Sequence, residues 1–409
     1  MCEKGSQCYE KYKEWENNEE IKIFREYLRI PTVHPDVNYD DCVAFLKRQA
    51  ENLSLPVRVI EDYPGKPIVV MSWEGTEPSQ KSIVLNSHMD VVPVYPERWT
   101  HGPFSAEMDS EGRIYARGSQ DMKCVGMQFL AAIRSLKHDS VRLKRTIHVT
   151  FVPDEETGGK LGMKEWVHRE SFTNLNCGFV IDEGIAAPGD EFQLFYGERS
   201  VWHVYFHISG TPGHGSLLLK GTAGEKARYI IDKLMDMRRV EEKKLQDNPH
   251  WTIGDVTSIN ITKFSGGVQG NVVPPELIIG FDIRVAVDVD HTMLENQLQE
   301  WCREAGGGIE IHYEEKLPYV PATILDESNH YWQAFKAALN GLGIKVKPQI
   351  FPGGTDGQYI REVGIPVVGF SPMNNTPVLL HDNDEFLSAD VYLKGIDIYK
   401  NIILNVCNS

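Results

Sequence analysis

Short apolar runs alternate with amphipathic stretches along most of the chain. Glu19 to Leu28 and Tyr39 to Leu53 place apolar residues at helical spacing, the second through Val43, Phe45, Leu46 and Leu53. Ile83-Val84-Leu85 is a compact apolar run, Met122 to Leu136 reads as a helix, and Thr146 to Val152 and Cys177 to Ile181 read as further strands. Strands that alternate with helices predict an α/β fold, a mostly parallel sheet flanked by helices on both faces. The pattern changes near Gly197. Strands at Val201 to Ser209, Val256 to Phe264 and Leu277 to Val285 are interleaved with helices at Thr222 to Leu245 and His291 to Glu304. That order predicts a small α+β sandwich with two helices on one side of an antiparallel sheet. After about Tyr319 the first pattern resumes, with a helix at His330 to Leu342 and a strand at Pro366 to Phe370. The expected organisation is a discontinuous α/β domain, residues 1–196 and 320–409, interrupted by an inserted domain at 197–319.

Composition narrows the class. A chain of 409 residues with 41% hydrophobic and 24% charged residues has the balance of a globular protein with room for a buried site. Its net charge of −16 argues against nucleic acid or an anionic membrane as main partner, since both call for a basic face. Met1 to Glu20 lacks the apolar stretch of a signal peptide, and no window approaches the 18 apolar residues of a membrane span. The seven cysteines, at positions 2, 8, 42, 124, 177, 302 and 407, form no CxxC pair and are odd in number. They are poor material for a disulfide framework, and sequons at Asn52, Asn260 and Asn374 matter only in a secreted chain. A reduced, cytoplasmic protein is expected.

The chemistry gathers where apolar runs end. Ile83-Val84-Leu85 leads to Ser87-His88-Met89-Asp90, and Thr146 to Val152 leads to Pro153-Asp154-Glu155-Glu156. Phe179-Val180-Ile181 leads to Asp182-Glu183-Gly184, and Pro366 to Phe370 leads through a loop to Leu380-His381-Asp382. Gly118 to Lys123, containing Asp121, opens a helix between the first two. Open α/β sheets bind ligands at the carboxyl ends of their strands, so these motifs should converge. Each has an ordinary reading alone. A histidine at a strand end is most often structural, and an acidic pair there, or Asp121, most often caps a helix. Together, two histidines and several carboxylates are the donor set that borderline divalent metals prefer, zinc first. Five ligands with one bridging aspartate would fill two sites, suited to clamp an attacking hydroxide and polarise a carbonyl. Asp90 lies two residues from His88, on the same side of an extended chain, where it can orient the imidazole. The side chains of Glu155 and Glu156 point different ways, so one can bind metal while the other moves a proton.

Six stretches resemble the co-catalytic zinc aminoacylase and carboxypeptidase family, most closely its cytosolic aminoacylase branch. They are Leu85 to Pro93, Tyr115 to Lys123, Thr150 to Glu156, Asp182 to Ala186, Gly210 to His214, and Ser371 to Asp382. The resemblance implies hydrolysis of N-acyl-L-amino acids with two Zn2+ per subunit. His88 and Glu183 would bind one zinc, Glu156 and His381 the other, and Asp121 both. Glu155 would be the general base and Asp90 would steer His88. The inserted domain would serve as lid and homodimer interface, with His214 acting on the oxyanion in the partner's site. Asn271, Arg284, Thr355 and Arg361 match positions that hold the substrate's α-carboxylate. Two stretches depart from the aminoacylase pattern. Leu217 to Leu219 is more aliphatic, which points to long-chain acyl groups as substrates, and Pro352 to Gly357 is closer to the carboxypeptidase-like relatives. The rival readings are a dipeptidase or carboxypeptidase with the same centre and a non-catalytic metal-binding scaffold. No Gly-x-Ser-x-Gly elbow and no His-Glu-x-x-His helix supports other hydrolase classes.

Overall fold

Local chemistry sets the element boundaries. In the computed structural model, which describes residues 7–409, the Asn18 side chain accepts from the backbone N–H groups of Glu20 and Ile21 and opens the helix Glu19–Leu28. Thr222 and Glu225 form a reciprocal capping box at the start of the helix Ala223–Asp247. Cys2 lies outside the described residues. The chain divides into two units, one comprising residues up to Tyr196 with Thr323–Pro348 and Thr355–Ser409, the other Gly197–Ala322 with Gln349–Gly354.

An eight-stranded mixed sheet runs in the order Val57–Tyr63, Lys66–Trp73, Ile147–Val152, Ser82–His88, Cys177–Asp182, Val367–Gly369, Phe192–Glu198, Val346–Phe351. Four central strands, from Ile147–Val152 to Val367–Gly369, are mutually parallel. The pairings on either side of them are antiparallel. The central strands are buried on both faces and read as continuous apolar runs for that reason. Ile83 and Leu85 face one core with the helices Glu19–Leu28, Lys123–His138 and Ala389–Val406. Val84 and Val180 face a second core with Trp166, Phe172 and Ile360.

Gly126 sets how closely the helix Lys123–His138 approaches the sheet. A Cβ there would meet Phe151 at 2.7 Å and the Ser87 hydroxyl at 2.8 Å, so glycine lets the helix lie directly on the strands that lead to His88 and Glu155.

The second unit holds a four-stranded antiparallel sheet, ordered Ser258–Gly266, Glu276–Val285, Ser200–Ser209, Ile309–Lys316. Trp202, Val204, Phe206 and Ile208 bury one face against Ile230 and Leu234 of one helix and Leu294 and Leu298 of the other. Its fourth strand, Ile309–Lys316, is absent from the sequence reading, although its residues alternate between half-buried and exposed along its whole length. The reading also names no element after Phe370, yet Ala389–Val406 is an 18-residue helix packed in the main core. Among the described residues no helix is long and apolar enough to cross a membrane.

His148 gives the fold a pH dependence of known sign. It sits in the central strand Ile147–Val152 with Nδ1 2.8 Å from the Ser72 hydroxyl. Burial, aided by the charge of Arg58, lowers its pKa from 6.5 to about 4. The folded state therefore resists protonation that the unfolded chain accepts. Its contribution is complete above pH 6.5 and is lost as pH falls through 4. His148→Gln should flatten the fall in urea-unfolding free energy across that window by roughly 3 kcal/mol. Parallel curves for the two proteins would contradict this.

Candidate metal centre

The parallel strands deliver their carboxyl ends to one edge. His88 ends its strand in register with Val152, and Gly369 pairs with Asp182. Beyond Val152 the chain turns at Asp154, which adopts a left-handed conformation with φ 62°, into the short turn Glu155–Thr157. Glu183 follows directly on Asp182. His381, also left-handed at φ 62°, comes from the loop after Val367–Gly369. Asp121 precedes the helix Lys123–His138, and its peptide bond to Met122 is cis.

Asp121 is the centre of the cluster. Its Oδ1 lies 3.0 Å from His88 Nε2 and its Oδ2 3.2 Å from His381 Nε2. Each imidazole has a glutamate beside it, Glu183 Oε2 at 3.6 Å from His88 and Glu156 Oε2 at 3.1 Å from His381. One donor atom from each of His88, Glu155 and Glu183 falls within 4.8 Å of the others, and so do donors of His88, Asp121 and Glu156. His88, Asp121 and Glu183 are buried, whereas the His381 side chain is 50% exposed, marking the open side.

The electrostatics follow from the crowding. Burial, together with the charge of Glu183, pushes the Glu155 carboxyl well above its usual range. Burial and Asp121 do the same to Glu183, and raise Glu156 to about 7. Burial would also raise Asp121, but hydrogen bonds to His381 and His88 outweigh it and hold that carboxyl low. His381 is raised to about 10 by its hydrogen bonds to Asp121 and Glu156. Burial alone would depress His88, yet Glu183 and the hydrogen bonds to Asp121 and Asp90 hold it well above 6.5.

The donor set fits a pair of divalent cations. His88 Nδ1 donates to the Asp90 carbonyl at 2.9 Å, so Nε2 is the nitrogen aimed into the cluster. Among the described residues Glu156 Oε1 is buried without a hydrogen-bond donor. Cations would replace the protons these groups otherwise share.

A supporting layer escaped the sequence reading. Glu385, fully buried, pairs with Arg117 at 2.7 Å and accepts from the backbone N–H groups of Gly118 and Gln120, bracing the loop that presents Asp121. Arg117 and Glu385 stand 268 positions apart, and no local pattern joins them. Tyr39 and Lys66 both bind the Asp154 carboxylate, at 2.9 and 2.7 Å.

The remaining expected residues are more dispersed. His214, Asn271 and Arg284 belong to the second unit. His214 is exposed on the two-residue strand Gly213–His214, which pairs with Val272–Val273, and its Nδ1 lies 2.8 Å from the Ser216 hydroxyl. The Asn271 carbonyl accepts from Gly215 N–H. Arg284 forks onto Asp282 at 2.7 and 2.8 Å. In the first unit, Thr355 is buried with its hydroxyl accepting from Gly357 N–H, and Arg361 is buried, donating to the Thr323 hydroxyl and the Val367 carbonyl. The Arg361 guanidinium thus faces protein oxygens rather than open space.

Acids forced together around two imidazoles at the ends of parallel strands have their use in a metal-dependent hydrolase, and that is the class this fold and site define. The chain belongs to peptidase family M20/M25/M40, whose model matches residues 84–405. It is 50% identical to mouse aminoacylase-1 over 383 residues, 94% of each chain. It is 48% identical to the human aminoacylase-1 over 388 residues, 95% of each. Among solved structures, an M20 family metallo-carboxypeptidase from Sulfolobus solfataricus superposes with a TM-score of 0.71 at 20% identity, covering 95% of this chain and 99% of that one. A dinuclear metal binding peptidase of the M20 family from Bacillus subtilis gives 0.68 at 16% identity, covering 96% and 98%. At such identities the two structures speak for the fold.

Removing Glu385 should be felt at the centre. Glu385→Ala leaves Arg117 buried without its acid, a loss of about 3–5 kcal/mol in urea-unfolding free energy. It also frees the Asp121 loop, weakening divalent-metal affinity about 10–100-fold in a chelator competition. Unchanged metal affinity in the folded variant would show that the brace does not reach Asp121.

Proposed function

We propose that the protein hydrolyses the amide bond of N-acyl-L-amino acids, releasing a carboxylate and a free L-amino acid, with two zinc ions per subunit. The observation that carries this reading is the Asp121 carboxylate, one oxygen toward His88 and the other toward His381. High identity to proteins named aminoacylase-1, over nearly the full length, supports the choice of substrate class.

His88 and Glu183 would hold one cation, Glu156 and His381 the other, and Asp121 both. Bound there, the pair supplies Lewis acidity, which polarises the scissile carbonyl and acidifies water. Glu155 is assigned the proton. Its carboxyl lies within 4.8 Å of donor atoms of His88 and Glu183, close enough to the assigned ligands to take a proton from water and pass it to the leaving amine. Asp90 fixes the His88 ring.

The second unit is assigned as lid and homodimer interface. His214 of the partner subunit then donates to the oxyanion as the carbonyl is attacked. Asn271, Arg284 and Thr355 are assigned to the substrate α-carboxylate. Arg361 is assigned there too, its buried guanidinium held by the Thr323 hydroxyl and the Val367 carbonyl. Leu217 and Leu218, 56% and 102% exposed, lie within four residues of His214 and favour a long apolar acyl chain. The reaction is placed in the cytoplasm, in keeping with the buried free thiols of Cys42, Cys124, Cys177, Cys302 and Cys407.

Two experiments test this. In the first, wild-type protein and Glu155→Gln are assayed on N-acetyl-methionine, a long-chain N-acyl-glutamine and a free dipeptide, with metal content measured alongside. Wild type should cleave both N-acyl substrates, the long-chain one with the higher kcat/KM, and leave the dipeptide nearly untouched. Glu155→Gln should keep its metal and lose about 10²–10⁴-fold in rate. Dipeptide-only activity would overturn the substrate assignment, preference for acetyl would remove the leucines from the acyl site, and near-normal Glu155→Gln would remove the base. In the second, Glu155→Gln and His214→Ala chains are co-expressed. Mixed dimers contain one site with both groups, so activity should reappear although each variant alone is nearly inactive. No recovery in isolated mixed dimers would place His214 outside the partner's site.

A further inference from the structure

Asp90 does more than face His88. Its carboxylate is fully buried, and three donors converge on it. Oδ1 accepts from the Glu155 N–H at 3.2 Å, and Oδ2 accepts from the Glu156 N–H at 3.0 Å. The third donor is His34, whose Nε2 lies 2.8 Å from Oδ2. The same carboxylate has Oδ1 3.6 Å from His88 Nδ1, so one group touches a ligand ring and the backbone of the turn that carries Glu155 and Glu156.

His34 is well fixed for this contact. It belongs to an extended segment that runs beside Met89 to Val91, with Val33 bridged in parallel to Val91. His34 N–H donates to the Val91 carbonyl at 3.1 Å, Val91 N–H donates to the Thr32 carbonyl at 2.9 Å, and the Thr32 hydroxyl donates to the Met89 carbonyl. The His34 side chain is 11% exposed. Donor atoms of His34, Asp90 and Asp154 also fall within 4.8 Å of one another. Lys66 already neutralises Asp154 at 2.7 Å, so the trio reads as a hydrogen-bonded brace rather than a cation site.

We propose that His34 is a positioning residue for amide hydrolysis, locking the Asp90 carboxylate so that the Glu155–Glu156 turn and the His88 ring stay aligned. The proposal rests on the roles assigned above to Glu155, Glu156 and His88. Without the His34 donor, Oδ2 keeps only the Glu156 N–H and Oδ1 only the Glu155 N–H, so the carboxylate is held less tightly about its terminal torsion. A charge-assisted hydrogen bond is lost from a site where small displacements of a base cost rate steeply. His34 Nε2 bonds to Asp90 and not to an assigned metal donor, so the effect falls on kcat and on zinc affinity and leaves KM unchanged.

The test compares His34→Gln with His34→Met. The two side chains have similar length, and glutamine carries an N–H donor at the far end whereas methionine has none. Each is assayed at saturating zinc on N-acetyl-methionine, and zinc affinity is read separately by competition with a chromophoric chelator. His34→Gln should stay near wild type in both. His34→Met should lose about 10–100-fold in kcat at unchanged KM, and bind zinc about tenfold more weakly, at the same thermal midpoint as His34→Gln. Equal kcat and equal zinc affinity in the two variants would overturn the proposal. So would a loss in His34→Met that tracks only the folded fraction. The zinc measurement uses no substrate. A wild-type protein inactive on N-acyl amino acids would therefore sink the functional assignment, while the Gln–Met difference in zinc affinity still decides the role of His34.

Discussion

One carboxylate shared by two imidazoles organises the active edge of the large sheet. Asp121 stays ionised because His88 and His381 each supply a hydrogen bond, and burial works against that state. Its charge then makes ionisation harder for Glu156 and Glu183, which lie within reach of the same imidazoles. Like charges forced this close in a buried pocket are costly unless positive charge offsets them. Cations gathered at the cluster would offset that cost. A site built for stability alone would have replaced these acids with apolar residues.

The scaffold makes that arrangement rigid from several directions. Parallel strands align their carboxyl ends, and the close helix contact at Gly126 sets the helix that follows Asp121 directly against them. Glu385 and Arg117 hold the loop before Asp121, Tyr39 and Lys66 hold Asp154, and Asp90 binds the N–H groups of Glu155 and Glu156. Nearly all of these groups are buried, so their hydrogen bonds act at low dielectric, where geometry is most strongly enforced. Only His381 is half exposed, leaving the cluster open on one side.

The sequence made the centre legible and left its supports hidden, for a physical reason. His88, Glu156, Glu183 and His381 follow apolar runs, and strand-end placement is a local signal that survives without coordinates. The central strands were equally readable, since burial on both faces leaves unbroken apolar runs. Ile309–Lys316 carries the alternation of a half-exposed strand and was readable in principle, with only Glu315 breaking the apolar face. Glu385, Arg117, His34 and Lys66 act through contacts between residues far apart in the chain. A lone charged residue in a loop looks the same whether it is solvated or braces an active site. Arg361 shows the opposite difficulty: its motif position suggested a substrate contact, and only its burial on Thr323 and Val367 reveals how enclosed it is.

The proposed chemistry requires Asp121 to lie between two cations. Anomalous diffraction from zinc-loaded crystals, recorded on both sides of the zinc absorption edge, measures this directly. Two peaks should flank the Asp121 carboxylate, one bounded by His88 and Glu183 and the other by Glu156 and His381. A single peak, or a pair that leaves Asp121 off the line between them, would contradict it.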